Sequence, residues 1–539
     1  MTTYNSCLGF EYVFLSLFKK GYRFFSRCVP ESTYRYVWCI WVFFLVGWPS
    51  SFAYSKLKYA EDRVPFNLNP IYAEDMYSVR VTELLFERLI GWDKQLQPVP
   101  MLATHWKIAK NRKAISLFLR KGVLWHDGKP FHADDVLFTI RAMTHQKSNI
   151  QDRYLASIVL KARKQGPHRV KIVFRKPMNK PLRWLQFKII PKHRFRKKLP
   201  HRTHIFSQRP CGTGPFQFVN WYGRTIKLKR FPRHWRKKKT KLKGIKLQVI
   251  PDKNVQAQVL RFGGTDVVVR LRPKDVPMFA RVRGVNLYPY STNSWWYLGL
   301  NQKRRSVLRD KRVRQALLLA LDRDALRLAH LGDGMTITGP FSPNDPLYNF
   351  SLAVRNQNLK KARKLLRSAG WTFKKNVWRK GRKVLKLNFV LPKSKTTYKS
   401  LVLAIRSQLQ NLGIPVKVTW LGDVAWHRQV FTRRSFDIVL HKWNFDSLSS
   451  IYPLFHSRGR LNYISYSNPE VDRLLKLSTI TTDPLIYKAI YQKIHKKLYA
   501  ELPYVYLWSL TNYTAVSAKV KNVLIHPFNY FHFTHGWKK

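Results

Sequence analysis

The chain has 539 residues, 45% of them apolar and 14% aromatic, which supplies apolar surface for several packed cores and excludes a disordered chain. Lys and Arg number 100 against 28 Asp and Glu, a formal charge of +72, which excludes an acidic solvating protein and raises the question of anionic partners. Of the four cysteines, Cys7, Cys28 and Cys39 precede residue 40, so a chain cut after them keeps only Cys211 and holds neither an internal disulfide nor a cysteine-based metal cluster.

In chain order, the first feature is the apolar run 37–48, shorter than the ~20 residues of a spanning helix. Arg35 precedes it and Ser51-Phe52-Ala53 follows, the basic flank and small-x-small exit of a secretory signal cut after Ala53. An uncleaved membrane anchor is the other reading of the same run. The stretch before it is long for a signal, which implies either a start downstream of Met1 or an amphipathic segment over 10–25. A helical pattern follows at 78–90, with Val81, Leu84, Leu85 and Ile90 near one face. An alternating strand at 114–119 leads to a turn at Asp127-Gly128, and a helix opens at Ala133 with Asp134 and Asp135 in its first turn, where acids favour the helix dipole. Strands are predicted at 170–174, 216–219, 226–228 and 245–250. Helices are predicted at 313–328, 359–369, 398–412, 468–478 and 484–498, with strands at 385–391, 416–420 and 436–440 between them. Strands alternating with helices make a large, multi-lobed α/β protein.

Certain segments form an ordered series. Leu85-Phe86-Glu87-Arg88-Leu89-Ile90 is followed by Pro100-Met101-Leu102-Ala103, by Gly122-Val123-Leu124-Trp125-His126-Asp127-Gly128-Lys129-Pro130, and by Ala133-Asp134-Asp135-Val136. Then come Gly212-Thr213-Gly214-Pro215-Phe216, Tyr297-Leu298-Gly299-Leu300-Asn301, Arg314-Gln315-Ala316, Trp443-Asn444-Phe445-Asp446 and Leu502-Pro503-Tyr504-Val505-Tyr506. Each is weak alone; the series in this order strongly resembles the family 5 extracellular solute-binding proteins, the peptide/nickel class that serves ABC importers.

The resemblance implies a periplasmic-binding-protein-like fold: two α/β lobes joined by two hinge strands, with an extra subdomain inserted in the first lobe. Mapped onto this chain, lobe I is 54–95, 205–294 and 509–539, the insert is 96–204, lobe II is 295–508, and 1–53 is the signal segment. It also implies a monomeric periplasmic protein that captures a peptide between the lobes and hands it to a membrane permease, with no catalytic step and no cofactor. In peptide-binding members the aspartate three residues after a tryptophan pairs with the ligand ammonium, a role that falls on Asp446 beside Trp443, Asn444 and Phe445. A carboxylate excluded from water needs such a cation. A loop Asp capping the next helix is the alternative. Glu87 matches a glutamate at the cleft edge, although Arg88 replaces the glycine that usually follows it. Trp296 and Trp508 fall on the expected hinges, where they either face the ligand or fill core.

Other readings compete. The same scaffold carries nickel or metallophores, haem and other solutes. Leu440-His441-Lys442 precedes Trp443, where some oligopeptide binders carry an arginine three residues before the tryptophan, so no partner for a ligand carboxylate is assigned. The stretch 224–246 holds 12 Lys/Arg with Phe231 and Trp235, a pattern compatible with nucleic acid but expected here as a strand, a solvated loop and a second strand. A surface protein holding anionic polymers through its overall field is a further reading. No His-Glu-x-x-His, Gly-x-Ser-x-Gly or phosphate-cradling Gly-Lys-Ser/Thr segment occurs. His126-Asp127 and His132-Asp134 read as structural, Arg314 and Asp322-Arg323 as charges paired on one helix, and His132 as a weak helix cap. Removing 1–53 takes five Lys/Arg and two Asp/Glu and leaves +69, so the charge belongs to the remainder. Few carboxylates means few groups to protonate, the composition expected of a protein that works in acid, and a proteome basic throughout, with no pH meaning, is the other reading.

Overall fold

The computed structural model describes residues 56–93, 97–146, 150, 154–196, 198–236, 240–291, 294–444, 451–526 and 530–539. The expected signal segment 1–53, Phe445 and Asp446 lie outside the described residues.

Two sheets organise the chain. In the larger, Lys56–Glu61 lies between Gly244–Val249 and Val267–Val268 and runs parallel to both. Thr225–Arg230 and Phe216–Tyr222 extend one side as an antiparallel meander. Trp508–Ser517 and Val285–Ser291 extend the other, and Gly334–Thr336 pairs with the start of Trp508–Ser517. The basic stretch is built into this sheet. Ile226, Leu228, Ile245 and Leu247 point into the core while Lys227 and Lys229 point to water, the two-residue period of a half-buried strand.

The second sheet has Ser294–Leu300 near its centre, antiparallel to Tyr504–Tyr506 on one side and to Ile438–Asn444 on the other. Leu387–Pro392 and Val416–Leu421 continue it in parallel. All seven residues of Ser294–Leu300 are buried, so it reads as an unbroken apolar run where an alternating one would mark a half-exposed strand. A separate four-stranded antiparallel sheet orders Ala103–Ile108, Ala114–Leu119, Arg169–Phe174 and Val159–Lys164.

Each large sheet has its own core. One runs from Leu57 through Val269 and closes with Val516 to Trp537; the other runs from Trp295 to Trp508. The result is a two-lobed α/β fold. The chain passes from the first sheet at Ser291 to the second at Ser294, and returns through Leu507. Arg323 fastens the return, donating to the carbonyls of Tyr506 (2.7 Å), Ile337 (3.2 Å) and Arg355 (2.9 Å).

Two local expectations change. The helix expected over 313–328 is two helices, Lys311–Ala320 and Arg323–His330, because Asp322 turns to cap the second by accepting from the Ala325 N–H. Arg314 and Asp322-Arg323 therefore do not pair: Arg314 donates to the main-chain carbonyls of Leu308, Arg309, Glu501 and Leu502, while Arg323 serves the return crossing. At the helix Ala133–Thr144, the third-position carboxylate of Asp135 accepts the His132 N–H (3.0 Å), the Trp125 indole N–H (3.2 Å) and the Lys192 N–H (2.8 Å), so Asp135 ties the helix start to two neighbouring segments.

The Gly-Thr-Gly-Pro-Phe segment is explained by close approach. A Cβ on Gly212 would sit 1.8 Å from the Leu85 carbonyl oxygen, and one on Gly214 would sit 2.6 Å from the Leu85 carbonyl carbon. His126 staples the same segment: its Nδ1 accepts the Gly212 N–H (3.1 Å), so its Nε2 carries the proton donated to the Gly214 carbonyl (3.0 Å).

Candidate binding crevice

Because Lys56–Glu61 is parallel to both neighbours, the carboxyl ends of these three strands share one edge of the first sheet. The parallel strands of the second sheet likewise end together, at Pro392, Leu421 and Asn444. Open α/β sheets bind ligands beyond such edges, where loops and helix starts leave room and unpaired polar groups. Arg270 lies just past Val267–Val268 at the first edge, and Lys442 lies near the end of Ile438–Asn444 at the second.

The first edge is largely neutralised. Glu61 accepts two hydrogen bonds from Arg80, 2.7 and 2.9 Å, and Asp62 lies 3.7 Å from Lys253. Burial pushes the Glu61 carboxyl up in pKa, with Arg80 opposing.

The second edge is not neutralised. Burial pushes the Lys442 ammonium down to about 8, and the nearby cations Arg270 and Lys395 push the same way. Its nitrogen stands 5.9 Å from the Trp296 ring centre, and Trp296 meets Tyr398 edge to face at 5.0 Å. On the opposite face of the strand, His441, Tyr297 and Trp443 form a triangle of near-parallel rings, His441 lying 6.0 Å from Tyr297 and 5.6 Å from Trp443, and Tyr297 6.1 Å from Trp443. Burial pushes His441 down to about 4; its Nδ1 accepts the Lys442 N–H at 2.6 Å.

The residues singled out from the sequence are scattered by this geometry. Trp443 is half-buried beside Tyr297 and His441, and Asn444 is exposed at the strand end, opposite Ser294. Trp296 lies beside Lys442 at 6% exposure. Trp508 has no exposed surface and donates its indole N–H to the Arg323 carbonyl (2.7 Å), which makes it core. Glu87 already holds two partners, His234 Nε2 at 3.2 Å and Trp235 Nε1 at 2.8 Å. Burial pushes its carboxyl up, but His234, Arg236 and Trp235 outweigh that and hold it below its usual value. This also turns Trp235 inward, with Arg120 stacked 4.0 Å over its ring, so that it offers no free face for a nucleobase. Among the described residues, no cluster of three or more His, Cys, Asp or Glu side chains is placed to hold a metal ion. A cavity of about 870 Å³ beside the edge strand Phe216–Tyr222 is lined by Arg194, Arg202, Arg209 and Trp221 and touches neither carboxyl edge.

Lys442, Arg270, Lys395 and Tyr398 were not singled out. Lys442 was visible only as part of the segment before Trp443, compared with the arginine of some oligopeptide binders.

Residues 97–462 match the family described as bacterial extracellular solute-binding proteins, family 5. The chain is 26% identical over 479 residues to the oligopeptide-binding protein AppA of Bacillus subtilis, covering 86% of this chain and 88% of that protein. The structure of AppA in complex with a nonapeptide superposes with a TM-score of 0.71 over 90% of this chain and 98% of that one. The fold is shared with HbpA2 of Haemophilus parasuis (TM-score 0.81, 21% identity, 90% and 99% covered). It is shared also with NikZ of Campylobacter jejuni in complex with Ni(L-His) (TM-score 0.72, 24% identity, 90% and 100% covered). With its two sheets and paired crossings, the chain belongs to the family 5 bacterial extracellular solute-binding proteins.

Proposed function

We propose that this protein is the exported peptide receptor of an ABC importer: it encloses a peptide between its lobes, performs no catalytic step, and presents the closed form to a membrane permease. The observation that carries this reading is the pair of α/β sheets with parallel strands ending at a carboxyl edge, set in a chain similar at 26% identity to an oligopeptide-binding protein whose structure holds a nonapeptide. The lobes are assigned as 54–95, 205–294 and 509–539 for the first and 295–508 for the second, with 96–204 inserted. The protein acts as a monomer in the periplasm after cleavage at Ala53.

Asp446 is assigned to the ligand's α-ammonium, with Phe445, Asn444 and Trp443 beside it. Two measurements test this. Native mass spectrometry of the purified protein incubated with a casein digest should show peptide adducts; their absence, with a nickel or metallophore adduct in their place, would favour the cargo of NikZ. For a captured peptide, Asp446→Ala should weaken binding at least tenfold with little change in melting, and unchanged affinity removes the ammonium pair.

A further inference from the structure

Besides the crossings at 291–294 and Leu507, the two cores are joined by a contact that no strand carries. The segment 178–184 follows the strand Arg169–Phe174, and its Met178 and Leu182 pack on the first core. It is held on that side by the main chain: the Met178 N–H donates to the Arg112 carbonyl (3.0 Å), and the Arg112 guanidinium donates to the Asn179 carbonyl (2.8 Å). Pro181 then opens the short turn Pro181–Trp184 with its φ already fixed. Between these anchors, Asn179 and Lys180 reach the second core. The Asn179 amide donates to the Ser478 carbonyl (3.1 Å), in the last turn of Pro469–Ile480, where carbonyls have no partner within the helix. The Lys180 ammonium stands 3.6 Å from the ring centre of Tyr487 in Pro484–Glu501. Tyr487 belongs to the second core, where it meets Tyr491 at 4.7 Å. Burial against it pushes the Lys180 ammonium down to about 8.

We infer that Asn179 and Lys180 form a clasp between the lobes, engaged in the arrangement described here, broken when the lobes open, and slowing that opening. The contact is placed to respond to hinge motion. Tyr487 lies 14 residues before Glu501, the end of the helix that leads into the return crossing. At 1.5 Å per residue it stands about 20 Å from that end. A rotation of about 15° about the crossings would therefore move it by about 5 Å, enough to part both contacts. Once parted, the amide, the ammonium and the Ser478 carbonyl all pass to water, so the clasp biases the lobes toward closure without sealing them. The inference rests on the reading that the lobes enclose a solute. It goes beyond that reading by giving a segment outside both large sheets a part in retaining the solute.

The test has one arm that needs a peptide and one that does not, both on the full chain. A peptide captured from the casein digest is labelled with a fluorophore, and its release into excess unlabelled peptide is followed by stopped flow. Asn179→Ala and Lys180→Met should each speed release about threefold or more. Both side chains are only half-buried, so melting should change little. Tyr487→Leu removes the ring from the other side and should match Lys180→Met. With both substitutions together, release should be within twofold of either alone, because one contact is lost only once; effects that multiply overturn a direct pair across the lobes. In the second arm, small-angle scattering compares the ligand-free protein with Asn179→Ala/Lys180→Met, whose radius of gyration should be larger. An unchanged radius, with release unchanged or with no peptide captured, overturns the clasp. A larger radius with no peptide captured removes the peptide reading and leaves the clasp standing.

Discussion

His495 gives a quantitative handle on how this protein responds to acid. The ring is wholly buried on the helix Pro484–Glu501, pressed against Gly339, where an added Cβ would lie 2.2 Å from it. Its Nδ1 accepts the Asn349 N–H (3.1 Å), which puts the ring proton on Nε2, donated to the Thr338 hydroxyl (3.1 Å). Protonating Nδ1 breaks the first bond and buries a charge, so burial pushes the ring down from 6.5 to about 4. The unfolded chain therefore takes up the proton first as pH falls. The stability His495 contributes is complete above pH 6.5 and is lost progressively down to pH 4. Between pH 7 and pH 5 the loss from this one group is about 2 kcal/mol. Urea unfolding followed by tryptophan fluorescence at both pH values measures it. His495→Gln keeps an acceptor for Asn349 and a donor for Thr338 but does not titrate, and should remove about 2 kcal/mol of the pH dependence. If the unaltered protein and His495→Gln lose the same stability between pH 7 and pH 5, the reasoning from the buried ring is wrong. Burial likewise pushes His126, His441, His526 and His535 down to about 4, so each loses stability in the same direction over the same interval. This opposes the acid tolerance that the scarcity of carboxylates led us to expect: what few acids spare, buried histidines give back.

Glu87→Gln should lower stability by about 1–3 kcal/mol, because His234 and Arg236 lose their anion, while leaving peptide affinity within twofold. Calorimetric titration would show a larger loss if Glu87 met the ligand. Gly212→Ala should cost about 3 kcal/mol or more in urea unfolding, since the Leu85 carbonyl must move to admit the methyl. Trp508→Phe removes the bond to the Arg323 carbonyl and should cost about 1–2 kcal/mol with peptide affinity unchanged. A large loss of affinity would return Trp508 to the crevice.

Local pattern carried much of the fold. The strand at 114–119 and the helix start at Ala133 stand where alternation and the acidic first turn placed them. The helices Leu359–Ser368, Lys399–Asn411, Pro469–Ile480 and Pro484–Glu501 lie within a few residues of expectation, since each keeps an apolar stripe on one face. Lys56–Glu61 was not foreseen. Its lysines hide a strand whose inner residues are buried only because partners from 244–249 and 267–268 arrive on both sides. The break at Asp322 was missed because a carboxylate inside an amphipathic pattern reads equally as an exposed helix residue and as a cap.

The linear order of motifs was enough to determine the family and the two-lobed α/β class, since turns, caps and apolar periods are properties of a few neighbouring residues. Which charges are spent and which are free is not such a property. Glu87 is consumed by His234 and Trp235, nearly 150 positions along the chain, Trp508 is sealed in core, and Lys442 stands over the ring of Trp296, drawn from another strand. Electrostatic and hydration energies depend on distance and dielectric in space, and only the packed structure sets those.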